Sequence, residues 1–496
     1  MSNHPAYDAL AAAFLRIYRF EHLQAIASWD HSTYMPPGGN EARAAALGEL
    51  AALMHRLRTA PELKDQLAAA EGESLDDDQR ANLREMKRVW RNSNALPEDL
   101  VVASSLAASR CEHAWRTQRP ANDWKDFAPN LREVVTCVRR EAALLSESTG
   151  LSKYDALMDR FEPGMRAAEV DRVFGAVKQW LPGLIREVRA RQAKAPAIPA
   201  KGPFSIAAQR ALCERVMNLL EFDFDGGRLD VSPHPFSGGV PEDVRLTTRY
   251  TDEDFAGSLM GTIHETGHGR YEQNRPRAWL GQPMSEARSM AIHESQSLSF
   301  EMQLGRSRAF MDVLAPLLVE AFGAQPAFEP DNLFRLYTKV EPGYIRVDAD
   351  EVTYPAHVIL RYEIERPLVE GDIEVDDIPA LWDEKMQALL GIDTRGNYTD
   401  GPMQDVHWPG GAFGYFPCYT LGAMYAAQWF ATMRKTRPAL DADIARGDFS
   451  GVFGWLRANI WEQASRYPTD ELCQRASGGP LDPACFKAHL EARYLA

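Results

Sequence analysis

The residues whose types and spacing are best suited to chemistry lie in the stretch Phe255–Asn274. This stretch contains His264-Glu265-Thr266-Gly267-His268, and its apolar residues recur at roughly helical spacing. Two histidines four positions apart project from the same face of a helix, so both imidazoles can reach one metal ion. Glu265 is rotated by about 100° around the helix, which leaves its carboxylate to hold a metal-bound water. This arrangement is that of the zinc metallopeptidase motif His-Glu-x-x-His.

A third ligand decides between this interpretation and two histidines on a solvated helix face. A catalytic zinc takes three protein ligands and keeps one position open, and two histidines with a glutamate form one such set. A second helical stretch, Ser285–Ser307, carries His293-Glu294-Ser295. Glu294 is the candidate third ligand. The competitors on the same stretch are Glu286, Glu301 and, more weakly, His293, and the alternative is a charged surface helix.

The composition is ordinary for a globular chain. Of the 496 residues, 45% are hydrophobic and 25% charged. The net charge of −15 argues against nucleic acid and anionic membranes as partners. No apolar run approaches the ~20 residues of a membrane span, and charged residues interrupt the first 30, so no signal peptide is expected. The six cysteines lack paired metal spacing, and the cytoplasm is the expected location.

Helical periodicity dominates the chain outside one short region. The segments Arg228–Ser232 and Val244–Tyr250 alternate or are rich in β-branched residues, which predicts a small antiparallel sheet just before the metal helix. Such a sheet could present a strand edge to an extended peptide. The only weak linker is Ala193–Pro203, so residues 1–496 are predicted to form a single unit. The helices predicted before the sheet are Tyr7–Trp29, Glu41–Thr59, Asp76–Asn92, Leu100–Thr117, Leu131–Ser146, Ala168–Arg191 and Ile206–Leu220.

Six short blocks give the chain a family resemblance over essentially its whole length. Any one block is weak, but all six occur in the expected order, and the chain resembles the carboxypeptidase Taq family of metallocarboxypeptidases (peptidase family M32). One departure is Gly269-Arg270, where an alanine and an apolar residue are expected; it concerns helix packing. The blocks are His234-Pro235-Phe236, Asp243-Val244-Arg245-Leu246-Thr247, His264–His268, His293-Glu294-Ser295, Ile345-Arg346-Val347-Asp348-Ala349-Asp350 and Gly401-Pro402-Met403-Gln404-Asp405-Val406-His407-Trp408.

The resemblance implies a mainly α-helical, saddle-shaped, zincin-like fold with a long active-site groove and a small antiparallel β-sheet beside the metal helix. It implies that the N-terminal helices, residues 1–75, roof the groove. It also implies a homodimer with one Zn²⁺ per subunit, with Co²⁺ as a possible substitute. The implied activity is release of single amino acids from peptide C-termini with broad specificity. An endopeptidase or dipeptidase on the same scaffold, or an inactive peptide-binding protein, remains the alternative.

Hydrolysis needs a residue that transfers the proton and a residue that stabilises the oxyanion. Glu265 would take the proton of the metal-bound water and pass it to the leaving amine. The tetrahedral oxyanion needs a donor besides the metal, and Tyr419 is the choice from its spacing after His407. Tyr415 is the alternative, and either tyrosine could instead be a loop aromatic packed for stability.

An exopeptidase must also recognise a terminal carboxylate, and arginine suits this task by bidentate pairing. Arg346 is the leading candidate because its block is the one that the family reserves for this purpose. Its structural alternative is an ion pair with Asp348, Asp350 or Glu351. Arg245 comes next, although it could instead hold the sheet edge through Asp243. The remaining candidates, for hydrogen bonds to the substrate, are His234, His407 and Gln404.

Overall fold

The computed structural model describes residues 3–232 and 235–495. The fold is mainly α-helical with one three-stranded sheet, which confirms the predicted fold class. The elements in chain order are Pro5–Thr33 (α1), Asn40–Arg58 (α2), Pro61–Ala70 (α3), Asp77–Asn94 (α4), Glu98–Gln118 (α5), Trp124–Thr149 (α6), Lys153–Met158 (α7), Ala167–Gln192 (α8), Ile206–Leu219 (α9), Gly227–Val231 (β1), Ser237–Val240 (β2), Asp243–Thr248 (β3), Ala256–Gln273 (α10), Met290–Leu298 (α11), Arg308–Phe322 (α12), Pro330–Tyr337 (α13), Tyr354–Glu370 (α14), Ile378–Leu390 (α15), Pro417–Thr436 (α16), Leu440–Ala445 (α17), Ser450–Leu456 (α18), Thr469–Ser477 (α19) and Pro483–Tyr494 (α20).

The chain forms two compact units, each built from three segments. The first unit comprises the described residues up to Asn94 together with Ala197–Tyr337 and Tyr425–Leu481. The second comprises Ala95–Pro196, Thr338–Met424 and the described residues from Asp482 onward. One boundary falls inside the stretch predicted to be a linker. The expectation that the whole chain acts as one unit, with residues 1–75 as a roof, stays a prediction.

The N-terminal helices of the first unit pack around their own apolar core. Leu10, Phe14 and Ile17 recur along one face of α1, as their spacing predicts, and all three are buried. They contact Leu63 and Leu67 of α3 in the same cluster. Burying a side chain of this size stabilises the fold by about 1.5–3 kcal/mol, so this cluster gives the N-terminal helices a stable attachment to one another.

The sheet differs from the prediction in its topology. Strand β3 lies in the centre, pairs with β1 in parallel and with β2 antiparallel. The sheet is therefore mixed and not wholly antiparallel, because β2 is a strand that the sequence did not indicate. Gly238 and Gly239 lack the side chains on which strand patterns depend. A Cβ atom at Gly239 would lie 2.0 Å from the carbonyl oxygen of Asp243, and its φ is +96°, so only glycine fits there.

Helix α10, which carries the His-Glu-x-x-His motif, begins and ends within one residue of its predicted bounds. Its periodic apolar residues, Leu259, Ile263 and Tyr271, are fully buried. Gly267 allows α11 to approach at backbone distance, because a Cβ there would lie 2.5 Å from the carbonyl oxygen of Gln296. This close approach brings the side chains of α11 alongside the histidines of α10.

The second predicted helix, Ser285–Ser307, is less regular than expected. The regular helix α11 begins after Ser289, whose hydroxyl accepts a hydrogen bond from the backbone N–H of Ile292. The chain continues as a π-helix over Ser299–Gly305. Such π-helical turns are rare and occur frequently at functional sites. The π-helical segment is buried throughout, and Gln296 of the preceding helix α11 accepts a hydrogen bond from the indole N–H of Trp461.

The family departure at Gly269-Arg270 has a local explanation. A Cβ at Gly269 would lie 2.7 Å from the ring of Phe222, so the small residue accommodates that ring. The guanidinium of Arg270 lies over the rings of Phe453 and Trp461, at 5.4 and 5.3 Å from their centroids. Arg270 therefore packs against aromatic rings where an apolar residue was expected, and the departure does not involve the candidate ligands.

None of the described helices is both long enough and apolar enough to cross a membrane.

Candidate functional site

Two histidines of α10 and one glutamate of α11 bring their ligand atoms to a common point in the first unit. One ligand atom from each of His264, His268 and Glu294 lies within 4.8 Å of the other two. Glu294 Oε2 is 3.8 Å from His264 Nε2 and 3.4 Å from His268 Nε2. Ligands about 2.1 Å from a tetrahedral zinc ion would be about 3.4 Å apart. The three side chains therefore fit a shared metal ion.

The electrostatics of this cluster also suit a cation. Burial lowers the pKa of His268 to about 4, which keeps its imidazole neutral and its lone pair available. Burial alone would raise the pKa of Glu294, but His264 and His268 outweigh it and lower that pKa to about 2. Burial alone would lower the pKa of His264, but Glu294 and Glu301 raise it to about 10. The carboxylates thus create a site that favours a positive charge.

The competing ligands named from the sequence contact other groups. Glu301 Oε2 lies 2.9 Å from His264 Nδ1, on the side of the ring away from the shared point, and Glu301 also pairs with Arg306 at 2.7 Å. Glu286 pairs with Arg275 at 2.9 Å. His293 Nδ1 lies 2.6 Å from the Nδ1 atom of His268.

Glu265 lies beside the candidate ligands and is only 6% exposed. Burial raises the pKa of its carboxyl to about 7, although the neighbouring His264 and a hydrogen bond from Ser237 on β2 oppose the shift. Its Oε2 atom is buried and has no hydrogen-bond partner among the described residues. An unpaired buried carboxylate oxygen is costly, so this atom is suited to accept a proton from a bound water.

The second unit carries a cluster around Arg346, which is 5% exposed. Its Nη2 atom lies 2.9 Å from Asp405 Oδ1, and its Nη1 atom donates to the hydroxyl of Tyr354 at 3.0 Å. Arg361 Nη2 lies 2.6 Å from the other oxygen of Asp405. Burial alone would raise the pKa of Asp405, but the two guanidiniums hold it well below its usual range. Two cations therefore share one anion, and the cluster keeps one excess positive charge.

Two of the three local acids that the sequence offered as partners for Arg346, Asp350 and Glu351, contact other groups. Asp350 accepts hydrogen bonds from the backbone N–H groups of Val352 and Thr353, at 2.9 Å each. Glu351 lies 2.7 Å from His489 Nε2. The ion pair of Arg346 is thus formed with a residue 59 positions along the chain.

The two candidate tyrosines differ in their surroundings. The hydroxyl of Tyr419 lies 2.9 Å from His407 Nε2, and the ring of Tyr419 lies under the guanidinium of Arg346 at 4.6 Å. Burial lowers the pKa of His407 to about 4, so its imidazole is neutral near pH 7. The ring of Tyr415 packs edge-on against Phe161 at 5.2 Å. The geometry therefore places Tyr419, more than Tyr415, in the polar cluster.

The contacts of Gln404, a further candidate, are mainly structural. Both amide hydrogens of Gln404 are donated to backbone carbonyls, those of Tyr344 and Asp400, and its oxygen accepts from the backbone N–H of Arg346. Gln404 therefore braces the Arg346 block.

Arg245 pairs with Asp243 through two hydrogen bonds of 2.6 and 2.9 Å and lies over the ring of Trp29 at 4.5 Å. This agrees with the alternative that Arg245 holds the sheet edge. His234 lies outside the described residues.

Sequence reasoning did not assign Asp405 or Arg361. Asp405 lies inside the quoted block between Gln404 and His407, so its position was a usable signal. Arg361 follows the apolar run Val358-Ile359-Leu360 in a helix that is buried almost throughout. A charged residue in such a run must have a partner, which was the available signal.

The comparisons with known proteins agree with this geometry. The profile of the family described as carboxypeptidase Taq (M32) metallopeptidase matches residues 9–494. Thermostable carboxypeptidase 1 of Thermus thermophilus is 37% identical, with 100% of this chain and 99% of that protein covered. Carboxypeptidase 1 of Bacillus subtilis is 34% identical, with 97% and 96% covered.

Solved structures of metallocarboxypeptidases also match this chain over almost its whole length. Metallocarboxypeptidase 1 of Trypanosoma cruzi matches with a TM-score of 0.97 and 46% identity over 99% of this chain and all of that one. An M32 carboxypeptidase from Deinococcus radiodurans matches with a TM-score of 0.92 and 32% identity over 99% of both. The fold and the clustered donors are those of a metallopeptidase. The chain belongs to the carboxypeptidase Taq (M32) metallopeptidase family, and it is a metallocarboxypeptidase that acts on peptides.

Proposed function

We propose that the enzyme releases single amino acids from peptide C-termini, with broad specificity, at a metal held by His264, His268 and Glu294. The observation that carries this proposal is the convergence of three ligand atoms next to a buried carboxylate, Glu265, that has an unpaired oxygen. We propose one Zn²⁺ per subunit, because two imidazoles and a carboxylate form a zinc donor set with an open position; Co²⁺ would also fit. The metal would supply Lewis-acid activation of a water molecule and of the scissile carbonyl.

The chain itself would move the proton. In this mechanism Glu265 Oε2 accepts the proton of the attacking water and then delivers it to the nitrogen of the leaving amino acid. A positioned general base of this kind contributes about 10²–10⁴ in rate. A carboxyl whose pKa lies at about 7 is suited to both halves of the transfer, because it can accept and donate near neutral pH.

We propose that Arg346 binds the terminal carboxylate of the substrate. The support is the excess positive charge of the cluster and the position of Arg346 in its sequence block. Asp405 occupies the Nε and Nη2 edge of the guanidinium, so we assign the Nη1 side to the substrate. Recognition of a free carboxylate would restrict cleavage to the C-terminal bond.

We propose that Tyr419 donates its hydroxyl to the oxyanion while its oxygen accepts a hydrogen bond from His407 Nε2–H; a hydrogen bond between His407 and a substrate carbonyl stays a prediction. The support is the hydrogen bond between the two side chains, which orients the hydroxyl of Tyr419. Tyr415 stays the alternative oxyanion donor, and direct substrate contacts of Gln404, Arg245 and His234 stay predictions. The homodimer and the cytoplasmic location also stay predictions from the sequence.

One experiment separates this proposal from the other readings. A defined peptide is incubated with the enzyme, with and without a chelator, and the product masses are followed over time. We expect a ladder of products shortened one residue at a time from the C-terminus, which the chelator abolishes. Internal cuts would indicate an endopeptidase. Hydrolysis only of a free dipeptide tested in parallel would indicate a dipeptidase, and no cleavage of either substrate would indicate an inactive binding protein.

A further inference from the structure

The two candidate metal-binding histidines contact different groups through their Nδ1 atoms. His264 Nδ1 contacts a carboxylate directly, that of Glu301, at 2.9 Å. His268 Nδ1 instead contacts a second imidazole, that of His293, at 2.6 Å. The other nitrogen of His293, Nε2, lies 2.9 Å from Glu272 Oε1. His268 is thus connected to a carboxylate through an intervening histidine.

Helix geometry explains how one side chain makes both contacts. His268 and Glu272 are four residues apart on α10, so they lie one above the other on the same face. His293 enters from α11 and bridges them, and its ring also packs against that of Tyr271 at 5.3 Å. His264, His268 and Glu272 therefore form one stripe along α10, of which the last member is not a ligand.

The distances leave one consistent arrangement of protons. A nitrogen pair 2.6 Å apart shares a single proton. If His268 offers the lone pair of Nε2 to a cation, its proton is on Nδ1, and His293 Nδ1 must be the acceptor. The proton of His293 is then on Nε2, where it is donated to Glu272, which can only accept when ionised. Each donor meets an acceptor along the whole chain.

The far end of this chain is fixed as well. Arg275, which is buried, lies 2.5 Å from the second oxygen of Glu272. Arg275 is in turn paired with Glu286 at 2.9 Å. The carboxylate that terminates the chain of hydrogen bonds is therefore held in place by two further residues, Arg275 and Glu286, which makes the orientation of His293 a fixed feature of the fold.

We propose that His293 is a positioning residue that, together with Glu272, fixes the ring orientation and the tautomer of His268 and thereby sets the affinity for the metal. This inference rests on the proposed metal role of His268. Partners that hold a metal-binding histidine from its far nitrogen typically affect metal affinity by 10–100-fold. Glu301 would position His264 in the same way, but by direct contact with its Nδ1 atom and without a bridging histidine.

The test measures the dissociation constant for Zn²⁺ alone, by competition of the full-length apoprotein against a chromophoric chelator. We expect His293→Leu to weaken zinc binding by about 10–100-fold, because it removes both hydrogen bonds. His293→Gln keeps one acceptor and one donor, so it should retain most of the affinity. His55→Leu, a half-buried histidine on α2, is the matched control and should change nothing. Co²⁺-loaded protein gives a second readout, because a tilted His268 alters the absorption bands of the ion.

Wild-type zinc affinity and an unchanged cobalt spectrum in His293→Leu would overturn the inference, as would a loss in His293→Gln as large as in the leucine variant. If His293→Leu does not fold, Glu272→Gln is tested in its place, since it leaves His293 in place but removes the anionic acceptor. We expect this variant to bind zinc several-fold more weakly, and an unchanged zinc affinity would refute the inference. Failure of the proposed metal site itself is recognised separately, because His264→Ala would then bind zinc like the wild type.

Discussion

Replacing Arg346 by alanine tests what makes this enzyme an exopeptidase. In the wild type, Arg346 and Arg361 share the single carboxylate of Asp405, and the cluster keeps one excess positive charge. In Arg346→Ala, the pair of Arg361 and Asp405 remains and is neutral. The variant therefore loses the charge that would attract the terminal carboxylate, while Asp405 keeps a partner and the buried ion pair survives.

The size of the effect follows from the interaction that is lost. A hydrogen bond to a charged group contributes about 1.5–3 kcal/mol, and each 1.36 kcal/mol corresponds to about tenfold in rate. Arg346→Ala should therefore reduce kcat/KM for peptides with a free C-terminal carboxylate by roughly 10- to 150-fold. The same peptides with an amidated C-terminus should lose much less, because they carry no charge for Arg346 to bind.

The assay compares kcat/KM for matched acid and amide peptides, with metal content and melting temperature measured in each protein. The wild type should strongly prefer the acid, and Arg346→Ala should lose most of that preference at full metal content. Arg366→Ala is the matched control, because Arg366 is a partly exposed arginine of α14 that pairs with Asp171. An acid-to-amide ratio in Arg346→Ala equal to that of the wild type would show that the carboxylate is bound elsewhere.

Three other predictions concern the catalytic base, the ion pairs and the helix contact. Glu265→Gln should keep the metal and lose about 10²–10⁴ in kcat; near-normal kcat at full metal content would remove Glu265 from its role. Glu85 of α4 forms a buried ion pair with Arg288, whose Nη1 atom lies 3.0 Å from Glu85 Oε1. Burial alone would raise the pKa of Glu85, but Arg288 and neighbouring arginines lower it to about 2 from an ordinary 4.5. Because the pKa is depressed in the fold, the pair stabilises the protein above pH 4.5 by about 3 kcal/mol, and this is lost as the pH falls towards 2. Unfolding in urea at several pH values should show a steeper loss of stability between pH 4.5 and 2 in the wild type than in Glu85→Gln; equal slopes would contradict it. Gly267→Ala should lower both the melting temperature and the zinc affinity, since its Cβ would lie 2.5 Å from the carbonyl oxygen of Gln296; wild-type values for both would refute the close contact between α10 and α11.

Local patterns predicted many of the helices, although the short helices α3 and α7 were not among them and α6 begins seven residues before its predicted start. The bounds of α10 were predicted within one residue because its apolar residues recur at helical spacing and face the core. Strand β2 was missed because Gly238-Gly239 resembles a turn, and its strand conformation depends on pairing with β3. The π-helix at Ser299–Gly305 was also missed, since the extra residue in each turn leaves no signal in composition or spacing.

Long-range contacts explain why the sites were only partly predictable. Glu294 and its competitors lie on one stretch, and which of them lies near the Nε2 atoms of both histidines depends on how closely α11 approaches α10 at Gly267. The ion-pair partner of Arg346 was sought among nearby acids, whereas the fold supplies Asp405 from a loop 59 residues away. Neither the third ligand nor the ion-pair partner of Arg346 can be predicted from the residues next to it in the sequence.

The most direct test of the central claim is a titration of Zn²⁺ into the apoprotein while release of the C-terminal amino acid from a defined peptide is followed. We expect no release without metal and a linear rise in rate that ends at one zinc ion per subunit. His264→Ala, measured in parallel at the same zinc concentrations, should stay near the baseline. Release by the metal-free protein, or a wild-type rate that does not respond to the first equivalent of zinc, would contradict the assignment of His264, His268 and Glu294 as the catalytic metal site.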